Sequence, residues 1–166
     1  MTIKNGGTLG NGNGNSITLK AQGSQTPTLE NFINEGTIKG KIGIENKNGF
    51  TGTITVKTFD NKGTIDGHIY MGLWQGSGGT ISIENFNNEG TITMPSNGDN
   101  NGVIYFEGTT HITTFHNQQN GTIEGKGGKN SISLKAQGSQ TPTLENFIND
   151  GTIKGKIGIE NDNGNF

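Results

Sequence analysis

Apolar and polar residues alternate along this chain in short runs, and the runs recur. Counting from Ile38, Ile42 and Ile44 fall on one side while Thr37, Lys39, Lys41 and Glu45 fall on the other. Successive strand side chains point to opposite faces, so this pattern predicts short strands with one buried side, and no helical period is sustained anywhere. The stretch from Leu29 to Ile38 reads aliphatic, two polar residues, Phe, any residue, Asn, and then Gly-Thr-Ile. The same skeleton returns from Val56 to Ile65, from Ile83 to Ile92, more loosely from Ile112 to Ile123, and from Leu144 to Ile153. With the Gly of Gly-Thr-Ile or Gly-Thr-Leu as marker, the phase positions are 7, 36, 63, 90, 121 and 151, in steps of 27 to 31 residues. Self-similarity of this size is the signature of a stacked solenoid. The fold expected is all-β, a right-handed parallel β-helix of about five to six coils with three short strands per coil. At ~4.8 Å per coil it would be a rod of roughly 25 to 30 Å.

Stacking then predicts columns. Ile65, Ile69 and Met71 should lie inside above Ile38, Ile42 and Ile44, with Gly67 leaving space. Further interior positions are Ile17, Leu19, Ile54, Val56, Ile81, Ile83, Ile132 and Leu134. Phe32, Phe59, Phe86, Phe115 and Phe147 should pile into one column, and Asn34, Asn61, Asn88, Asn117 and Asn149 into an amide ladder at a corner. On the outside, Glu30, Lys57 and Glu84 form one charge column, Glu35, Lys62 and Glu89 another, and Lys39 faces Asp66. Opposite charges on neighbouring strands contribute ~0.2–1 kcal/mol per pair, which supports the register more than the stability. The connections are rich in Asn and Gly, residues that tolerate the positive φ of tight corners, and Gly36 is expected at such a corner. Pro27 and Pro142 stand just ahead of strands, and Pro95 opens the longest irregular connection.

Composition changes the picture in one respect. Only 27% of residues are hydrophobic and 30 are Gly, yet the net charge is only -2, so periodicity and not a bulky core must carry the fold. There is no Cys, and the basic residues are all Lys, dispersed along the chain, which argues against a nucleic-acid footprint. No apolar run approaches the roughly 18 residues of a membrane span. No secretory signal is visible, so export would make the chain an internal piece of its parent. Residues 16–49 return as 131–164 with three differences, Thr18/Ser133, Glu35/Asp150 and Lys47/Asp162. That offset of 115 residues is a four-coil block, so residues 1–166 are expected to form a single solenoid domain belonging to a longer array.

The run Phe86-Asn87-Asn88-Glu89-Gly90-Thr91-Ile92 and its variants resemble the Asn-Gly-Thr-rich repeats of bacterial surface proteins of the autotransporter adhesin type. The resemblance implies a parallel β-helix at the bacterial cell surface or secreted, anchored through an outer-membrane parent. Its partner would be a receptor or glycan on a host or neighbouring cell. No catalytic residue is carried over by it, and no cofactor.

Candidate chemistry lies where the repeat departs from its own pattern. Alternation turns Asp66, His68, Tyr70 and Trp74 outward, and the next coil adds Tyr105 and Glu107, with Lys41 and Glu45 alongside. Exposed aromatics flanked by carboxylates could stack on a sugar ring and bond its hydroxyls, so Asp66, His68, Tyr70, Trp74 and Tyr105 form the candidate ligand patch. The plain alternative is that Trp74 packs over a corner and Tyr70 is an isolated surface aromatic. A hydrolase needs two carboxylates about 5–9.5 Å apart across a groove, and Asp66 and Glu124 share a column two coils apart, an arrangement that many surface acids produce by chance. A lyase reading lacks Arg and has Asp99 almost alone. Metal binding is not expected, because His68, His111 and His116 are assigned to different strands. The Thr37, Thr64, Thr122 and Thr152 column is flanked by Lys39, Asp66, Glu124 and Lys154, which breaks the flat uncharged array that ice binding requires. Two functions follow: a non-enzymatic stalk or adhesion segment, or a glycan-binding or polysaccharide-processing module using the Tyr70/Trp74 face. Uncapped end coils leave strand edges through which the chain could associate end to end.

Overall fold

The computed structural model describes residues 1–46, 49–73, 78–94 and 101–161, the side chain of Asn161 excepted. Those residues form no helix; they build three six-stranded parallel sheets, one strand from each sheet in every coil. The first, here the Phe sheet, stacks Thr2–Ile3, Thr28–Asn34, Thr53–Asn61, Thr80–Asn88, Thr110–Asn117 and Thr143–Asn149. The second, the Gly-Thr-Ile sheet, stacks Thr8–Leu9, Thr37–Lys39, Thr64–Asp66, Thr91–Thr93, Thr122–Glu124 and Thr152–Lys154. The third, the Tyr sheet, stacks Asn15–Ala21, Lys41–Asn46, Ile69–Gly72, Ile104–Glu107, Asn130–Ala136 and Lys156–Asn161. The chain is a parallel β-solenoid; connections between parallel strands take the right-handed sense almost without exception.

The registers are those of the repeat. Phe32 pairs with Phe59, Phe59 with Phe86, Phe86 with Phe115, and Phe115 with Phe147. Their rings stack at 4.4, 4.6, 4.7 and 5.4 Å, so the column is a continuous aromatic spine. Ile38, Ile65, Ile92 and Ile123 are buried above one another, as are Ile42, Ile69, Ile104 and Ile132. Each interior column stacks apolar residues on one another, identical in the Phe and two Ile columns, and at about 25 cal/mol per Å² of apolar surface this repetition compensates for the low hydrophobic content.

The amide ladder forms. Each Asn Nδ2 donates to the Oδ1 one coil on, from Asn34 through Asn61, Asn88 and Asn117 to Asn149, every bond 2.8 Å. The same amides reach corner carbonyls, as Asn34 Nδ2 does to Thr64 O at 3.2 Å. The ladder starts at Asn34, whose Oδ1 has no partner because the preceding coil offers Ile3 at that place.

Several expectations need correction. Gly36 does not have positive φ; a Cβ there would stand 2.6 Å from Lys4 O and closer still to Gly7 O, so glycine is required by the approach of one coil's backbone to the next. Gly67 likewise leaves no space: its Cβ would be 2.5 Å from the Gly40 carbonyl carbon. Among the described residues only glycines, such as Gly12 and Gly14, have positive φ, and no Asn does. Of the charge columns, Glu30–Lys57 closes at 2.8 Å and Glu35 meets Lys4 at 4.0 Å. Lys39 and Asp66 are in register, but among the described residues no ion pair forms there, nor between Lys62 and Glu35 or Glu89. Long exposed side chains keep their freedom in water at little cost. Pro27 and Pro142 precede strands; Pro95 lies outside the described residues.

Candidate functional site

The outer face of the Tyr sheet carries two adjacent columns. One reads Thr18, Gly43, Tyr70, Tyr105, Ser133, Gly158, and the other Lys20, Glu45, Gly72, Glu107, Lys135, Glu160. Two aromatics thus sit in the middle of a column whose other members are small. The Tyr70 and Tyr105 rings stack at 5.5 Å with an interplanar angle of 29°. A Cβ on Gly72 would lie 2.6 Å from Tyr70 Cε2, so Tyr70 lies along its own strand over that glycine. From there its hydroxyl donates to Glu107 Oε2 at 2.8 Å, and Gln137 Nε2 donates to the other oxygen of the same carboxylate. Lys41 Nζ stands 4.5 Å from the Tyr70 ring centroid and 2.9 Å from Glu45 Oε1, while Lys20 reaches Glu45 Oε2 at 3.4 Å. Gly43 makes room for Glu45 as Gly72 does for Tyr70.

These contacts set the electrostatics. Burial raises the Tyr70 phenol pKa, and the bond to the Glu107 carboxylate raises it further, so Tyr70 is a neutral hydrogen-bond donor and not a base near pH 7. Burial also raises the Glu45 pKa, but the Lys41 hydrogen bond and the charges of Lys41 and Lys20 together outweigh it, and the net shift is downward. Glu45 lies on the outer face, where alternation assigns it, but is buried there with two lysines on its carboxylate.

Of the five residues that the sequence assigns to the patch, the structure gathers three. His68 lies against Tyr70 and Tyr105, at centroid distances of 6.1 and 6.3 Å. His68 and Tyr105 are buried, however, and Tyr70 is half-buried, so the rings spend their faces on one another instead of presenting them to solvent. Alternation places a side chain on a face but does not report what leans over it. Asp66 belongs to the Gly-Thr-Ile sheet, around the corner, beside Lys39 and Thr93. Trp74 lies outside the described residues.

No protein-family model, curated protein or solved structure matches the chain. Its chemistry is therefore read from the geometry alone.

Asp66, Thr93 and Glu124 do share a column, two coil spacings or roughly 9.6 Å end to end, with a threonine between the acids. His111 and His116 share the strand Thr110–Asn117, against the expectation of separate strands. Each pairs with the last coil: His111 Nε2 with Glu145 at 3.2 Å and His116 Nε2 with Asp150 at 2.8 Å. Among the described residues no group of three His, Cys, Asp or Glu is placed to hold a metal ion. No described helix is long and apolar enough to cross a membrane.

Sequence reasoning missed a polar hollow of about 280 Å³ at the corner after the Phe sheet, lined by Asp60, Asn61, Lys62, Asn87, Glu89 and Gln118. Asn87 Nδ2 donates to Asp60 Oδ1 at 2.8 Å within it. The only signal was the run of polar residues between Phe59, Phe86 or Phe115 and the Gly-Thr-Ile that follows, which marks a corner and not a cavity. Gln137, which grips Glu107, had no signal at all.

Proposed function

We propose that this chain is a non-enzymatic structural segment of a secreted or surface-anchored bacterial adhesin, a rigid spacer whose outer columns form or display the attachment surface. The observation that carries the reading is the contrast between two adjacent columns on opposite faces of one sheet. Inside the Tyr sheet the column is Ile17, Ile42, Ile69, Ile104, Ile132, Ile157, while outside it runs Thr, Gly, Tyr, Tyr, Ser, Gly in register with it. A frame held this constant beneath a surface this variable suits a scaffold, and the Tyr70 hydroxyl and ring face are already spent on Glu107 and Tyr105. The assignment to a bacterial surface rests on the resemblance of the Asn-Gly-Thr repeats.

A glycan array probed with the wild type, Tyr70→Ala and Trp74→Ala tests this. No reproducible binding supports the spacer. Binding abolished by either substitution would overturn it in favour of the glycan module. The surface assignment is tested separately: antibody to the chain should label intact source cells, and labelling only after lysis would reject it.

A further inference from the structure

The two ends of the solenoid differ. At the C-terminal end Phe147, Ile157 and Ile159 are exposed, and with Ile132, Leu134 and Leu144 they line an open hollow of about 560 Å³. The internal duplication supplies a control for this face. Phe147 repeats Phe32 and Ile159 repeats Ile44; their exposures are 40% and 76% at the end, against 1% and 3% inside. The inner copy is covered by residues 50–73. Phe59 stacks on Phe32, Asn61 accepts from Asn34, and Ile69 and Met71 pair with Ile42 and Ile44.

We propose that the C-terminal face seats one further parallel coil of the same kind as residues 50–73, supplied by a continuing repeat of the array to which this chain belongs. The face specifies its occupant. Phe147 asks for a Phe in register, and Asn149, which accepts the last bond of the ladder, asks for an Asn to receive its Nδ2. The two corners ask for glycine: a Cβ on Gly63 would stand 2.8 Å from Glu35 C and nearer still to Gly36 O, and Gly67 sits as tightly over Gly40. Gly151 and Gly155 repeat Gly36 and Gly40 at the open end. A second copy of this chain does not meet those demands from its N-terminal end. Its first strand is Thr2–Ile3, which puts Met1 beside the Phe position and Ile3 at the Asn position, leaving the Asn149 amide without an acceptor.

The inference rests on the reading of the chain as a segment of a longer array, but not on any adhesive role. The test lengthens the intact chain after Phe166 with a second copy of its residues 51–73, in matched form and with Ala at the copied Gly63 and Gly67. Amide hydrogen exchange of residues 143–161 is the readout. The matched extension should slow exchange there at least tenfold, toward the rates of residues 28–46, and the Ala form should not. Equal protection by both extensions, or by neither, would overturn the proposal. Sedimentation of the unlengthened chain covers the rival occupant: a dimer that protects the same amides would assign the face to a second copy and also overturn it. A blank or positive glycan array bears on the spacer reading and leaves this result untouched.

Discussion

Replacing Asn61 by Asp changes one atom of the buried ladder from donor to acceptor. Asn61 accepts from Asn34 and donates to Asn88 Oδ1, both at 2.8 Å, and it is buried. An ionised carboxylate in its place keeps the first bond but sets an oxygen against the Asn88 oxygen. The folded chain escapes by holding the carboxyl protonated, and a protonated carboxyl can donate where the amide did. That escape bounds the ionic part of the loss. Keeping an ordinary Asp of pKa about 3.9 protonated at pH 7 costs about 4 kcal/mol, and almost nothing near pH 4. Asn61→Ala instead loses the two ladder hydrogen bonds, about 1 kcal/mol net each, with the longer ones to Gly63 O and Thr91 O, and strands the Asn88 oxygen at about 1–3 kcal/mol, with no titration. Losses near pH 7 are thus similar, and the slope separates them. The folded Asp variant binds a proton that the unfolded chain has released, so its stability rises as pH falls. Urea unfolding followed by far-UV circular dichroism, with the wild type subtracted at each pH, should show the Asp deficit shrinking by about 3 kcal/mol or more between pH 7 and 4 while the Ala deficit holds. Deficits below about 1 kcal/mol for both, or an Asp deficit flat with pH, would refute a continuous bonded ladder.

Other expectations follow from the same columns. Phe59→Ala, which removes a ring stacked on both sides, should cost about 3–5 kcal/mol in urea unfolding, and Phe147→Ala at the open end less than half of that. Gly63→Ala should lower stability by about 2 kcal/mol or more, because backbone must move, whereas Gly12→Ala, with open space but positive φ, should cost about 1 kcal/mol; equal losses would contradict the close-approach account. Glu45 has a lowered folded pKa, so the stability it adds is present above its unfolded value of 4.5 and is lost as pH falls through the folded one. Glu45→Gln should therefore flatten thermal stability below about pH 4.5, and an unchanged acid limb would remove the Lys20–Glu45–Lys41 cluster from the account.

The inner face was legible because one kind of signal wrote it many times over. Phe32, Phe59 and Phe86, or Asn34, Asn61 and Asn88, recur at a spacing that only stacking explains, and each recurrence tests the others. The outer face was not legible in the same way. Whether Glu45 is wet depends on Lys20 from the coil before, on Lys41 from its own strand and on the following coil, whose Gly72 pairs with it. Tyr70 is bound because Gly72 lets it lie flat and Glu107 arrives 37 residues later. Neither neighbour is encoded by alternation. Gly36 shows a third limit: the residue was rightly singled out, but a backbone approach and a positive φ leave the same letter in a sequence.

The near-identical copies at 16–49 and 131–164 separate what a segment's own sequence decides from what its neighbours decide. Strand boundaries match: Thr28–Asn34 and Thr143–Asn149, Thr37–Lys39 and Thr152–Lys154, Lys41–Asn46 and Lys156–Asn161. Local backbone form is therefore carried within the segment and by the coil beneath it. Burial is not. Phe32, Ile42, Ile44 and Glu45 are buried, while Phe147, Ile157, Ile159 and Glu160 are exposed, and the difference between the two settings is the coil above. In a solenoid each coil's hydrophobic stabilisation is shared with the next, so a coil is complete only when followed. A surface feature such as the Tyr70/Tyr105 stack needs only two adjacent coils and glycines beside it, and can be added to or removed from the frame without touching the columns that hold it.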